Sequence, residues 1–252
     1  MIEFRQLSKQ YGSFVALAPL SLQIARGEVF GFLGPNGAGK TTTIRLMMGI
    51  LVPTSGAVLI DGLNCQTQSA EVKRHVGYLP DTPIFYDYLR GREILEFVAE
   101  MHGFGRHEAI DRARVLLGEL NLAEVAEEFA VNYSMGTKKK LGLACALIHD
   151  PSVLILDEPT NGLDPRAARD VHERLRKSAL AGTTVFLSTH LLDMAERLCT
   201  RIGIIHRGRL VSEGTPDSLR QERAAGGSLE EVFLAVTDES PTAAADTAAG
   251  PI

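Results

Sequence analysis

Residues 34–41, Gly34-Pro35-Asn36-Gly37-Ala38-Gly39-Lys40-Thr41, follow the spacing GxxxxGK[ST], the Walker A pattern. Each residue type there suits a phosphate. Glycines let successive backbone N–H groups converge on phosphate oxygens, and a helix opening at the end of the loop adds the positive end of its dipole. Lys40 is placed to reach β- and γ-phosphates and the Thr41 hydroxyl to ligate Mg²⁺, with Thr42 next in the same turn. A second segment, Val153-Leu154-Ile155-Leu156-Asp157-Glu158, is an apolar strand ending in adjacent carboxylates, the Walker B arrangement. Asp157 is suited to hold Mg²⁺ through water, and Glu158 to orient and deprotonate an attacking water. A glycine-rich surface turn or an acidic strand end is common by itself. The two together, with a strand before the loop and a helix after it, make a nucleotide site.

The pattern of apolar residues indicates what positions them. Ile2–Leu7 and Leu22–Ile24 read as short strands near an edge, with a turn at Gly12-Ser13. Glu28–Leu33 reads as a buried strand, Gly39–Met48 as a helix, and Ala57–Ile60 and Val76–Leu79 as further strands. From Ile84 to Pro151 the spacing turns helical, over Glu93–Met101 and Glu108–Leu120, with no strand between: a helical insertion. Alternation then resumes with Val153–Leu156, a helix over Pro165–Leu180, Thr184–Ser188 and a helix over Leu191–Cys199. Ile202–Ile205 and Arg209–Ser212 suggest a hairpin, Thr215-Pro216 opens another helix, and Ser228–Ala235 adds a last one. Such alternation predicts an α/β fold, a mostly parallel sheet with helices on both faces. The segment after Val236, TDESPTAAADTAAGPI, has almost no large apolar residue and is expected to be disordered.

Composition narrows the partners. The 252 residues are 45% hydrophobic and 23% charged, ordinary globular usage, with a net charge of −5 that provides no global field for nucleic acid. Cys65, Cys145 and Cys199 form no CxxC pair, so a disulfide framework or zinc site is not expected, and a reducing compartment fits. MIEFRQLSKQ does not read as a signal peptide, and the longest apolar run, Leu141–Ile148, is far short of the ~20 residues that cross a bilayer. The expectation is a soluble, cytoplasmic chain that meets a membrane through a partner.

Three further segments complete a pattern. Tyr133-Ser134-Met135-Gly136-Thr137 lies with its serine 23 residues before Asp157, Asn161-Gly162-Leu163-Asp164 follows the acidic pair, and His190 follows the strand ending at Ser188. With the two nucleotide segments, these make residues 1–236 strongly resemble the nucleotide-binding subunit of ABC transporters. The resemblance implies the P-loop NTPase core of the ABC ATPases, with an N-terminal antiparallel β part and an inserted helical subdomain over about 84–150. It also implies ATP and Mg²⁺ as ligands. Tyr11 takes the place of the aromatic that stacks on adenine, and His190 that of the switch histidine. Tyr133–Thr137 takes the place of LSGGQ, so that Ser134 and Gly136 face the γ-phosphate of a partner protomer, and Asp164 stands across the dimer interface. The family's glutamine that ligates Mg²⁺ is Asp81 here, and its first signature glycine is Met135.

The implied activity is ATP hydrolysis by a homo- or heterodimer of such domains, closing on ATP to drive a separate polytopic permease on the inner face of the cell membrane. YGSFVAL, NGLDP and SLEEVF resemble the exporter branch. The alternative within the family is a soluble ATPase of a protein-assembly machinery. Lys138–Lys140 reads as a solvated helix face, or else as a source of positive potential near the nucleotide.

Overall fold

The computed structural model of the chain describes residues 1–224 and 228–238. β1 (Ile2–Tyr11) and β2 (Phe14–Ile24) pair antiparallel, and β1 also pairs with β4 (Ser55–Ile60), which is flanked by the short β5 (Leu63–Asn64). In this first sheet, ordered β2-β1-β4-β5, β2 is the edge strand and β1 lies beside it, near an edge as expected. β1 runs past the expected end at Leu7. Gln6 sits at φ 48°, a bulge that shifts the register between Phe4 and Leu7, so alternation breaks although pairing continues. Gly56 of β4 makes room there: a Cβ on it would lie 2.2 Å from the Gln6 carbonyl oxygen.

The second sheet is ordered β10-β9-β3-β8-β7-β6. Its members are β3 (Val29–Leu33), β6 (Val76–Leu79), β7 (Val153–Asp157), β8 (Thr184–Thr189), β9 (Arg201–His206) and β10 (Arg209–Gly214). All neighbours are parallel except β10, which joins β9 as an antiparallel hairpin at one edge. The central strands are buried on both faces, hence their continuous apolar runs.

Helices do not cover both faces equally. One face carries Leu33, Leu154, Leu156 and Leu187 into a core with α6 (Pro165–Leu180), α7 (Leu192–Leu198) and the insertion. The other carries Phe30, Phe32, Ile155 and Phe186 toward α1 (Lys40–Met47) and the whole antiparallel sheet. Helices therefore lie on both faces as expected, and on this side a β-layer joins α1 in covering the sheet. Phe186 joins the layers, with ring centroids 6.2 Å from Phe4, 6.0 Å from Phe30 and 5.5 Å from Phe32.

Between β6 and β7 lie α3 (Gly91–Met101), α4 (Arg106–Glu119) and α5 (Met135–Leu147), with 3₁₀ turns at Ala123–Val125 and Ala130–Asn132. The sequence reading omitted β5 and α2 (Ser69–His75), a helix that buries Val72 alone and so carries no apolar stripe. After β10 come α8 (Pro216–Ala224) and α9 (Leu229–Asp238). α9 passes the expected boundary at Val236, and the remainder of the tail reading, 239–252, lies outside the described residues. Among the described residues no helix is long and apolar enough to cross a membrane.

Candidate active site

The glycine-rich loop leaves the carboxyl end of β3 and turns into α1. Two of its glycines are sterically required. A Cβ on Gly34 would lie 2.4 Å from the Ile205 carbonyl oxygen, and one on Gly39, at φ 110°, 2.7 Å from that of Ala16. The loop rests on the β9–β10 turn, where Gly208 N–H donates to the Ala38 carbonyl at 2.8 Å. Lys40 is 6% exposed and curls over its own loop, donating to the carbonyls of Gly34 (2.7 Å) and Pro35 (3.3 Å).

Neighbouring parallel strands bring the remaining groups to the same edge. At the end of β7 the buried Asp157 accepts from Thr41 Oγ1 at 3.3 Å and from the Ser188 hydroxyl of β8. Burial pushes the Asp157 carboxyl above its usual range, and the charges of Glu158 and Asp81 add to this, while the bonds from Ser188 and Thr41 oppose it. Glu158 follows at φ 48°, left-handed for a residue with a side chain, its N–H donating to the Ser188 carbonyl at 3.0 Å. Its Oε1 lies 3.5 Å from Lys40 Nζ and 2.9 Å from His190 Nδ1, and its Oε2 accepts from the His190 backbone N–H at 3.4 Å.

The loop and the carboxylates of Asp157 and Glu158 border a cleft of about 300 Å³. Pro35, Asn36, Gly37, Gly39, Lys40, Thr41 and Thr42 line it on one side, Asp81, Asp157 and Glu158 on the other, with Phe14 and Ala16 at its β2 wall. Ala38 is buried beneath the loop, and Gly34 N–H is held by the Thr189 carbonyl at 3.3 Å. The cleft can take a polyphosphate: the glycine-rich backbone that opens α1 and an ammonium lie at one wall, and carboxylates at the other. A divalent cation fits the donor chemistry. Thr41 and Asp157 offer hard oxygens, and no group of three or more His, Cys, Asp or Glu among the described residues forms a cage of its own. That partial set matches Mg²⁺, which takes its other ligands from phosphate and water.

Beyond Gly34 and Ala38 in the loop and His190 behind Glu158, which adjoin the cleft without lining it, four predicted residues stand apart from it. Tyr11 faces Phe14 across the β1–β2 hairpin, 48% exposed, with Lys9 Nζ 4.9 Å from its ring centroid, and the aromatic bordering the cleft is Phe14. Ser134 is the N-cap of α5, accepting from Thr137 N–H at 3.1 Å, and Gly136 packs near Leu163. Asp164 is the N-cap of α6, accepting from the N–H groups of Arg166 and Ala167 at 2.9 Å, and these bonds hold its carboxyl below the usual range.

Sequence reasoning missed two residues. Phe14, 63% exposed in the opening hairpin, carried no signal beyond being aromatic. Lys139 overturns the solvated reading of the lysine run: it is 2% exposed, donating to Asp81 Oδ1 at 3.2 Å and to the Glu158 backbone carbonyl at 2.5 Å. The signal was present, because Lys139 shares a helical face with Gly142, Leu143 and Ala146, all buried in α5.

The family model described as ABC transporter matches residues 17–161. The daunorubicin resistance ATP-binding protein DrrA3 of Streptomyces coeruleorubidus is 40% identical over 90% of this chain and 71% of its own length. The bacitracin transport ATP-binding protein BcrA of Bacillus licheniformis is 39% identical over 88% and 72%. The probable multidrug ABC transporter ATP-binding protein YbhF of Escherichia coli is 38% identical over 89% of this chain, but the matched region spans only 39% of YbhF. Among solved structures, an ATP-binding subunit of an ABC transporter superposes at TM-score 0.87 with 34% identity, covering 94% of this chain and 99% of that one. A dimeric bacterial ABC transporter cassette superposes at 0.79 with 25% identity, covering 85% and 98%. The chain belongs to the ABC transporter family, as one of its ATP-binding ATPase cassettes.

Proposed function

We propose that this chain is the motor subunit of an ABC exporter, binding Mg·ATP in the cleft and hydrolysing it with Glu158 as general base. The observation that carries this reading is the meeting of Lys40 and His190 at one oxygen of Glu158, which lines the cleft together with the glycine-rich loop. The loop amides and Lys40 hold the phosphates. Thr41 and Asp157 would hold Mg²⁺, which would supply positive charge against that of the phosphates. Glu158 accepts the proton of the attacking water, and His190 orients the Glu158 carboxylate and reaches the γ-phosphate.

Ser134, Gly136 and Asp164 do not line the cleft of their own chain, which fits a second protomer presenting them to the first. The dimeric state named for one structural relative supports the same arrangement. ATP binds the closed pair more tightly than the open one, and hydrolysis releases it. Ile84, Tyr86 and Tyr88, exposed on the segment that leaves Asp81, with Phe97 and Met101 on α3, give apolar surface for a membrane permease. Export of a drug-like or antibiotic cargo is supported by the names of DrrA3 and BcrA. The chain then works at the cytoplasmic face of the membrane, held by its permease.

The test is tagged purification from native membranes, with phosphate release measured on the eluted complex. A stoichiometric polytopic protein and ATP-dependent phosphate release support the motor. Soluble partners alone overturn it in favour of an assembly-type ATPase.

A further inference from the structure

Lys139 is the second of three consecutive lysines, and the three are not equivalent. Lys140 reaches Asp170 on α6 at 3.5 Å, near the surface, whereas Lys139 is 2% exposed. A buried ammonium must be met by charge or by several acceptors, because desolvation otherwise drives the side chain out. Lys139 has one of each: the Asp81 carboxylate on the loop after β6, and the backbone carbonyl of Glu158 after β7.

The second contact bears on the chemistry. Glu158 is held at φ 48°, a conformation its side chain disfavours, so neighbours must over-determine it. Its N–H is fixed by the Ser188 carbonyl, and its own carbonyl accepts from Asn161 N–H at 3.2 Å as well as from Lys139. That peptide orientation aims the carboxylate at Lys40 and His190. The first contact settles a charge problem. Asp81, Asp157 and Glu158 all border one cleft, where a third uncompensated carboxylate would repel a polyphosphate; Lys139 supplies the missing positive charge.

We infer that Lys139 is a positioning residue for Glu158 and that Asp81 serves as its counter-ion rather than as a metal ligand, an assignment whose catalytic half rests on the ATPase reading above. The two form a matched pair linking the insertion helix α5 to the carboxyl edge of the sheet.

A double-mutant cycle tests this in the full chain: wild type, Asp81→Gln, Lys139→Gln and the double variant, with Lys139→Met as a fifth chain. Each is measured for kcat and KM of ATP hydrolysis across a Mg²⁺ titration, for affinity toward a fluorescent ATP analogue, and for the unfolding midpoint of the nucleotide-free protein. Lys139→Met is expected to lower kcat about ten-fold with KM within about three-fold, since a positioning contact acts mainly on the transition state. Asp81→Gln alone strands the buried ammonium and lowers both kcat and the unfolding midpoint. Adding Lys139→Gln, which keeps an N–H donor for the Glu158 carbonyl and removes both charges, restores both.

Three results overturn the inference: additive losses in the double variant, rescue of Asp81→Gln by Mg²⁺ alone, or an unfolding shift in Lys139→Met with kcat unchanged. If the wild-type chain hydrolyses no ATP, the ATPase reading fails instead. The midpoint cycle, which needs no nucleotide, still decides whether Asp81 is the counter-ion of Lys139.

Discussion

His190 Nδ1 lies 2.9 Å from Glu158 Oε1, although 32 residues separate them in the chain. The contact exists because β7 and β8 are parallel neighbours in register, Asp157 opposite Ser188, so both chains leave the sheet at one edge. Any reading of the site as a hydrolytic centre depends on that pair, and several consequences can be measured.

Glu158→Gln keeps the shape of the side chain and removes its capacity to accept a proton. Hydrolysis is expected to fall by ~10²–10⁴ while nucleotide binding persists. Phosphate release and equilibrium binding on the same preparation check this; unchanged turnover excludes Glu158 as the base.

His190→Ala removes the partner that orients the carboxylate but not the base itself. A smaller loss is expected, about 10–100-fold in kcat, with the KM for ATP nearly unchanged. Single-turnover and steady-state rates separate the two constants, and a loss in KM alone would place His190 in binding only.

Gly39→Ala and Gly37→Ala separate steric from conformational demand. Both glycines have positive φ, 110° and 79°, but only the Gly39 Cβ would meet a backbone oxygen. Gly37→Ala should cost about 1–2 kcal/mol in local strain, whereas Gly39→Ala adds a clash with Ala16 and should abolish nucleotide binding. A binding titration on each variant reads the difference.

Away from the cleft, His149 stacks on His102 with ring centroids 3.7 Å apart. Burial, with the neighbouring His102 adding to it, pulls the His149 pKa from 6.5 down to about 4. The folded state therefore holds the neutral ring while the unfolded chain takes up a proton, so this site loses stability as pH falls from 6.5 toward 4 and loses no more below. Unfolding midpoints of wild type and His149→Gln over that range should converge toward acid pH; parallel curves would exclude the effect.

Phe186→Ala should cost about 3–5 kcal/mol, because its ring packs on Phe4, Phe30 and Phe32 at the junction of the two sheets. Chemical denaturation measures it, with a markedly smaller loss showing that the layers close over the gap.

Much of this architecture was legible because local pattern and position coincide. The glycine-rich loop, the apolar strand before Asp157 and Glu158, and Pro165 opening a helix behind its Asp164 cap all declare themselves within a few residues. What escaped depends on distant partners. β1 looked short because the bulge at Gln6 breaks its alternation, and α2 hides because Val72 is its only buried residue. Phe14 reaches the cleft only through the hairpin that sets it opposite Tyr11. The lysine run misled because charge favours solvent on average, whereas the face shared with Leu143 and Ala146 sends Lys139 inward.

β7 is apolar at Val153, Leu154, Ile155 and Leu156 and buried throughout, so sliding it by one place would exchange apolar residues for apolar ones on both sides. A strand with one wet face is protected from that error by its polar residues; this one is not. Its alignment cue sits at the very end, where the Ser188 hydroxyl finds Asp157 in the native frame and a one-place shift would set Asp157 beside Leu187 or Thr189 instead. The residue suited to hold a cation therefore also serves as a vernier mark for the native alignment of β7 on β8.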